Sequence, residues 1–145
     1  MTKNLWGSLT DWDILFLCWL VSAVSTLGSL FFSHVMGFVP CVLCWYQRIC
    51  LFALVLVLAV GLFPFDKKVV KFAMPLALTG LLIAAYHNLL YAGIIPKSIQ
   101  PCASGVSCTE KYIEIFGFIS IPMLALASFA TIAALLIILK RRDSK

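Results

Sequence analysis

Four long apolar runs, almost free of charge, constrain this chain more than any other feature of its sequence. Residues 14–32 and 115–139 contain no charged side chain, residues 45–63 contain only Arg48, and residues 72–91 contain a single histidine, His87. A hydrocarbon core of about 30 Å takes roughly 20 apolar residues per helix, so each run is long enough to cross a membrane. In a chain of 145 residues, four such spans leave only short connections. The chemistry must then lie within helices, at their ends, or in one or two modest loops.

Composition excludes the alternatives. With 63% hydrophobic and 12% charged residues and a mean hydropathy of +1.06, the chain departs far from an average soluble domain, which is about 45–50% apolar and about 25% charged. A water-soluble enzyme would have to expose large apolar patches. Disorder is excluded for the opposite reason, because a low-charge chain with 13% aromatics buries surface readily. The expected fold is all-α: a four-helix transmembrane bundle forming one domain over residues 1–145, with spans near 14–32, 45–63, 72–91 and 117–139. The first run is too long for a signal-peptide core and lacks a small-residue cleavage pattern, so it is expected to remain as a helix.

Positive charges set the expected orientation. Lys3, Lys67, Lys68, Lys71, Lys140, Arg141, Arg142 and Lys145 fall on one side, against Arg48, Lys97 and Lys111 on the other. Basic residues concentrate on the cytoplasmic side, which places both termini there. Topology therefore accounts for the net charge of +5 without a nucleic-acid partner.

The same topology sorts the cysteines. Cys41, Cys44, Cys102 and Cys108 fall at or beyond the outer ends of the spans, while Cys18 and Cys50 lie inside them and read as inert core residues. In an oxidising compartment closely spaced pairs read as disulfides, and Cys-x-x-Cys reads as a redox pair. Cys44 stands at the expected start of the second helix, where unpaired N–H groups and the helix dipole favour a thiolate, and Arg48 follows one turn later with a full positive charge. A stabilised thiolate is a good leaving group, as a catalytic disulfide requires.

Arg48 and His87 each admit two readings. Arg48 lies only about 6 Å below the helix start and could snorkel to the headgroups, or it could stabilise an anionic acceptor beside the redox pair. His87 lies about one turn below the same surface and is either an interfacial histidine satisfied by a neighbour or, with Arg48, a donor to a bound quinone. Trp45 and Tyr46 read mostly as interfacial anchors that are also close enough to Cys44 to touch a bound ring. His34 reads as an interfacial loop residue.

The second cysteine pair sits in the one sizeable loop, residues 93–114, where Pro96, Pro101 and Gly105 disfavour regular structure. A Cys102–Cys108 ring there would be open to another protein, or would merely staple the loop. Residues 109–116 mix Tyr112, Ile113, Ile115 and Phe116 with Glu110, Lys111 and Glu114, and are expected to form a short extracytoplasmic helix lying on the surface.

The run Pro40-Cys41-Val42-Leu43-Cys44-Trp45-Tyr46-Gln47-Arg48-Ile49 resembles the signature of the DsbB family, four-helix disulfide-forming oxidoreductases of the bacterial plasma membrane that pass electrons to quinone. The resemblance covers nearly the whole chain, and the five residues between Cys102 and Cys108 make it most similar to the short-loop forms of Gram-positive bacteria. It implies a relay. A reduced extracytoplasmic thioredoxin-fold dithiol oxidase of the DsbA type would attack the Cys102–Cys108 disulfide at Cys102, and Cys108 would exchange with Cys41. Cys44 would then deliver electrons to quinone, with menaquinone implied over ubiquinone, Arg48 stabilising the negative charge and His87 on the quinone side. Such an oxidase lies near about −120 mV and structural disulfides below about −300 mV, so each cycle releases roughly 8 kcal/mol that an external acceptor must restore.

Two other classes fit the same residues. One is a four-cysteine metal-binding membrane protein, disfavoured by an oxidising exterior. The other is a scaffold whose outer loop is only stapled. The vitamin K epoxide reductase type performs related chemistry, but there the quinone-proximal Cys-x-x-Cys opens a later helix.

Overall fold

The computed structural model describes residues 9–99 and 120–144. Within them lie four α-helices, α1 (Asp11–His34), α2 (Val42–Leu62), α3 (Val69–Tyr91) and α4 (Ile121–Asp143), and a 3₁₀ turn at Lys97–Ile99; no strand occurs among the described residues. All four are long and apolar enough to span a membrane. Consecutive helices pack against one another and α1 also packs on α4, which closes an up-and-down ring of four.

Three of the helices begin three residues before the expected spans, because the turns and caps that lead into them act through hydrogen bonds that hydropathy does not register. By contrast, α4 begins at Ile121, four residues after the expected 117, with Ser120 as its cap and Pro122 in its first turn. At α1 the Asp13 N–H donates to Thr10 Oγ1 at 3.2 Å and the Thr10 N–H donates back to Asp13 Oδ2 at 2.8 Å, a capping box. α2 starts at Val42 with Cys41 as its cap, three residues ahead of the expected 45. α3 starts at Val69 rather than 72, entered through a turn in which the Lys68 N–H donates to Asp66 Oδ1 at 2.9 Å. α4 runs on through Lys140, Arg141 and Arg142, cations that suit a helix C-terminus. The expected surface helix over residues 109–116 lies outside the described residues.

Outward faces are apolar. Val24, Leu27, Leu56, Val60, Phe72 and Leu82 are all exposed, the inverse of a soluble bundle and the arrangement lipid requires. Inside, Ile14, Leu15, Cys18, Leu54, Leu58, Phe129, Ile132, Leu136 and Leu139 are fully buried and fill the half of the bundle nearest Lys67. At that end Asp11 ties three elements together, pairing with Lys67 Nζ at 2.5 Å and with Arg142 Nη1 at 3.3 Å. α3 and α4 meet at Gly80, where a Cβ would run into the Phe129 ring.

The other half is not filled. α1 contributes Ser25, Gly28 and Ser29 there and α4 contributes Ala125 and Ser128, side chains too small to fill the space between the helices. They leave a cavity of about 330 Å³ at the Cys41 end. Ser25 Oγ donates to Ser128 Oγ at 2.9 Å and fixes the two helices along this wall.

Candidate active site

Cys41 is the N-cap of α2, with extended backbone (φ −72°, ψ 170°), and its sulfur accepts the Cys44 N–H at 3.4 Å. The thiol at the cap position is thus Cys41, and Cys44 stands three residues into the helix, whereas the sequence suggested that Cys44 opens it. The spacing of three brings both side chains to one face of the first turn, with the sulfurs 3.0 Å apart and both cysteines free. Leu43 and Leu90 bury Cys41 against α3.

His87 comes from α3 to the same point. Its Nε2 lies 3.9 Å from Cys41 Sγ, and its Nδ1 lies 3.4 Å from Gln47 Nε2. With the amide nitrogen donating to Nδ1 the ring proton stands on Nε2, facing the sulfur, and with the amide turned the proton stands on Nδ1. The Cys41 thiol is held well below its usual range, chiefly by the hydrogen bond from the Cys44 side chain, with His87 and the Cys44 N–H adding to it and burial opposing.

Arg48 is 6% exposed, so it does not snorkel. Its Nε donates to Ser29 Oγ at 2.9 Å, and its Nη2 donates to the Ser29 carbonyl at 2.9 Å and to Ser33 Oγ at 3.1 Å. The guanidinium is therefore anchored to α1, and its carbon also sits 5.2 Å from the Trp45 ring centroid.

Cys41, Cys44, Gln47, Arg48 and His87 all line the cavity, with Phe32, Phe38, Pro40, Leu51 and Pro122 among its apolar walls. Val24 and Leu124 line it too and are exposed on the outer surfaces of α1 and α4, so the cavity reaches the lipid-facing side between those helices. The structure thus brings together four of the residues singled out in the sequence. Trp45 and Tyr46 are half exposed and are not part of the cavity wall. Cys102 and Cys108 lie outside the described residues. His34 is the exposed last residue of α1, and Cys18 and Cys50 are buried away from the cavity.

Sequence reasoning passed over Ser29, Ser33 and Gln47. Their signal was present: Ser25, Ser29 and Ser33 recur every fourth residue on one face of an otherwise apolar helix, and Gln47 is a second polar residue next to Arg48 inside a span.

The family described as disulfide bond formation protein DsbB matches residues 11–139, which takes in α1 to α3, α4 as far as Leu139 and every residue lining the cavity. The chain belongs to the DsbB family. It is 48% identical over 134 residues to a probable disulfide formation protein of Metapseudomonas resinovorans, covering 92% of this chain and 93% of that one. It is 43% identical over 131 residues to disulfide bond formation protein C of Bacillus subtilis, covering 90% and 95%. No solved structure gives a significant match. Membership of the DsbB family makes this a multi-pass membrane oxidoreductase of disulfide bond formation.

Proposed function

We propose that the chain reoxidises an extracytoplasmic thioredoxin-fold dithiol oxidase and passes the electrons to membrane quinone. One observation carries the reading: a vicinal dithiol, a buried arginine and a buried histidine converge on a single cavity that reaches the lipid-facing surface. At about 330 Å³, with mostly apolar walls and two polar donors, the cavity is within the range of small-ligand sites and suits a planar ring bearing two oxygens.

A quinone takes up two electrons and two protons as a dithiol closes to a disulfide. The chain's own residues prepare that exchange. The Cys44 side chain and N–H and the His87 ring stabilise the Cys41 thiolate, keeping one sulfur of the reduced pair ionised and ready. Cys44 is the sulfur that delivers electrons, and Arg48, tied to Ser29 and Ser33, holds a positive charge where negative charge develops. His87 carries a proton at the sulfur, Trp45 and Tyr46 flank the site from the lipid side, and menaquinone is the acceptor that the short-loop resemblance implies over ubiquinone. Cys102 and Cys108 accept electrons from the partner, with Cys102 in the mixed disulfide and Cys108 exchanging with Cys41. Both termini face the cytoplasm of a bacterial plasma membrane, with both cysteine pairs outside.

The test is anaerobic turnover. Purified protein mixed with a reduced thioredoxin-like oxidase and a quinone should bleach the quinone absorbance, and Cys41→Ser or Cys44→Ser should abolish the loss. A stapled scaffold would be indifferent to Cys44→Ser.

A further inference from the structure

We propose that the dithiol state of the site is also a three-ligand binding site for a thiophilic divalent cation of the Zn²⁺ or Cd²⁺ type, formed by Cys41, Cys44 and His87. The two sulfurs and an imidazole nitrogen lie within 4.8 Å of one another, from two helices that fix their positions. The Cys41–Cys44 separation is 3.0 Å and the Cys41–His87 Nε2 separation is 3.9 Å. Tetrahedral zinc with bonds of about 2.3 Å to sulfur sets its thiolates roughly 3.8 Å apart. Less than about 1 Å of opening, within reach of a side-chain rotation at half-buried Cys44, therefore converts the cluster into a ligand set.

Charge and surroundings favour it. One dication binds two thiolates, with the proton that Cys44 carries released, so the cation and its two thiolates are together neutral, which is what a site of low dielectric tolerates. Arg48 is the one other charged side chain among the cavity-lining residues, and its guanidinium is drawn towards α1 by Ser29 and Ser33. Gln47 supplies the outer partner that ligating histidines require: with its amide turned to present oxygen, it accepts the proton that Nδ1 carries when Nε2 binds metal. The cavity leaves the fourth position open to water, the pattern of an exchangeable rather than a structural metal. This set differs from a four-cysteine site because it uses neither Cys102 nor Cys108.

The consequence for redox chemistry rests on the proposed electron transfer, whereas binding does not. A disulfide offers no thiolate, so only the reduced pair takes the cation, and an occupied pair cannot be oxidised until the metal leaves.

The full-length chain, reduced and freed of reductant, is titrated anaerobically with Cd²⁺ and followed by thiolate-to-metal charge-transfer absorbance and by ¹¹³Cd resonance position. The expected result is one equivalent bound with a resonance of mixed sulfur and nitrogen ligation. Binding should persist in Cys102→Ser/Cys108→Ser, be lost after oxidation to the disulfide, and weaken by about tenfold or more in His87→Ala. No saturable band, a band unaltered by His87→Ala or Cys44→Ser, or an all-sulfur resonance in the unmutated chain would overturn the site. Quinone bleaching is measured on the same metal-free preparation, so loss of the electron relay and loss of the metal site are read separately.

Discussion

Arg48 and Ser29 are joined twice across the α1–α2 interface, by Nε to the hydroxyl and by Nη2 to the carbonyl oxygen, each at 2.9 Å. A cation in a membrane span is costly unless its donors are used, and here α1 supplies the acceptors while the cavity receives the charge. Arg48→Ala should weaken apparent quinone affinity by about tenfold or more, the worth of a charged hydrogen bond, and lower turnover less. Ser29→Ala, which leaves the carbonyl and Ser33, should have a smaller effect in the same direction. Steady-state quinone kinetics check both, and an unchanged affinity in Arg48→Ala would remove its assigned role.

The lowered Cys41 thiol gives a pH dependence with a definite sign. Its thiolate is stabilised by neighbours that exist only in the folded chain, so ionisation in the reduced protein should begin below the ordinary thiol value of about 8.5. The stability this adds to the reduced fold is present above that value and is lost as pH falls through the folded one. Ultraviolet thiolate absorbance, as the difference between the reduced chain and Cys41→Ser, measures the midpoint. A midpoint at or above 8.5 would contradict the arrangement.

Gln47 meets His87 at Nδ1 while Nε2 faces Cys41, so the amide bears on the contact between ring and sulfur. In Gln47→Leu the amide contact at Nδ1 is lost, so the hold of His87 on Cys41 should weaken and the thiolate midpoint should rise towards the ordinary thiol value while the fold is kept. The same absorbance titration reads it, and circular dichroism in detergent confirms the helices.

Gly80 is where α3 meets α4, and the Phe129 ring fills the space a side chain would take. Gly80→Ala should destabilise the bundle by about 1–3 kcal/mol through overpacking, and Phe129→Leu in the same chain should restore part of it. Thermal unfolding in detergent gives both values. An unchanged midpoint in Gly80→Ala would mean that the helices do not approach this closely.

Asp11 holds the opposite end. Its carboxylate raises Lys67 above the usual lysine range, chiefly through their hydrogen bond, and also meets Arg142. Asp11→Asn should lower the thermal midpoint only slightly, less so at high salt, because the pairs are partly open to solvent. Quinone reduction should be unaltered, and a large loss of turnover would show that the two ends are coupled.

The number and positions of the four helices were legible because uncharged runs of membrane-spanning length have few other uses. Their starts were less so: Thr10, Cys41 and Asp66 act through hydrogen bonds at a single turn, which hydropathy averages away. Cys41, Cys44, Arg48 and His87 could be picked out as chemistry-bearing residues at one depth. Their division of labour could not, because it depends on which helix face meets which. That Arg48 turns to Ser29, that Gln47 meets His87 and that His87 faces Cys41 are consequences of packing between segments separated by as many as 46 positions.

The central claim is that the Cys41–Cys44 dithiol itself reduces quinone, and a single-turnover measurement reaches it without any partner protein. The Cys102→Ser/Cys108→Ser chain, fully reduced and metal-free, is mixed anaerobically with excess quinone while quinone absorbance and free thiols are counted. One quinone consumed per chain, with two thiols lost and Cys41 joined to Cys44, is the predicted result. A folded chain that consumes no quinone and keeps both thiols would contradict it.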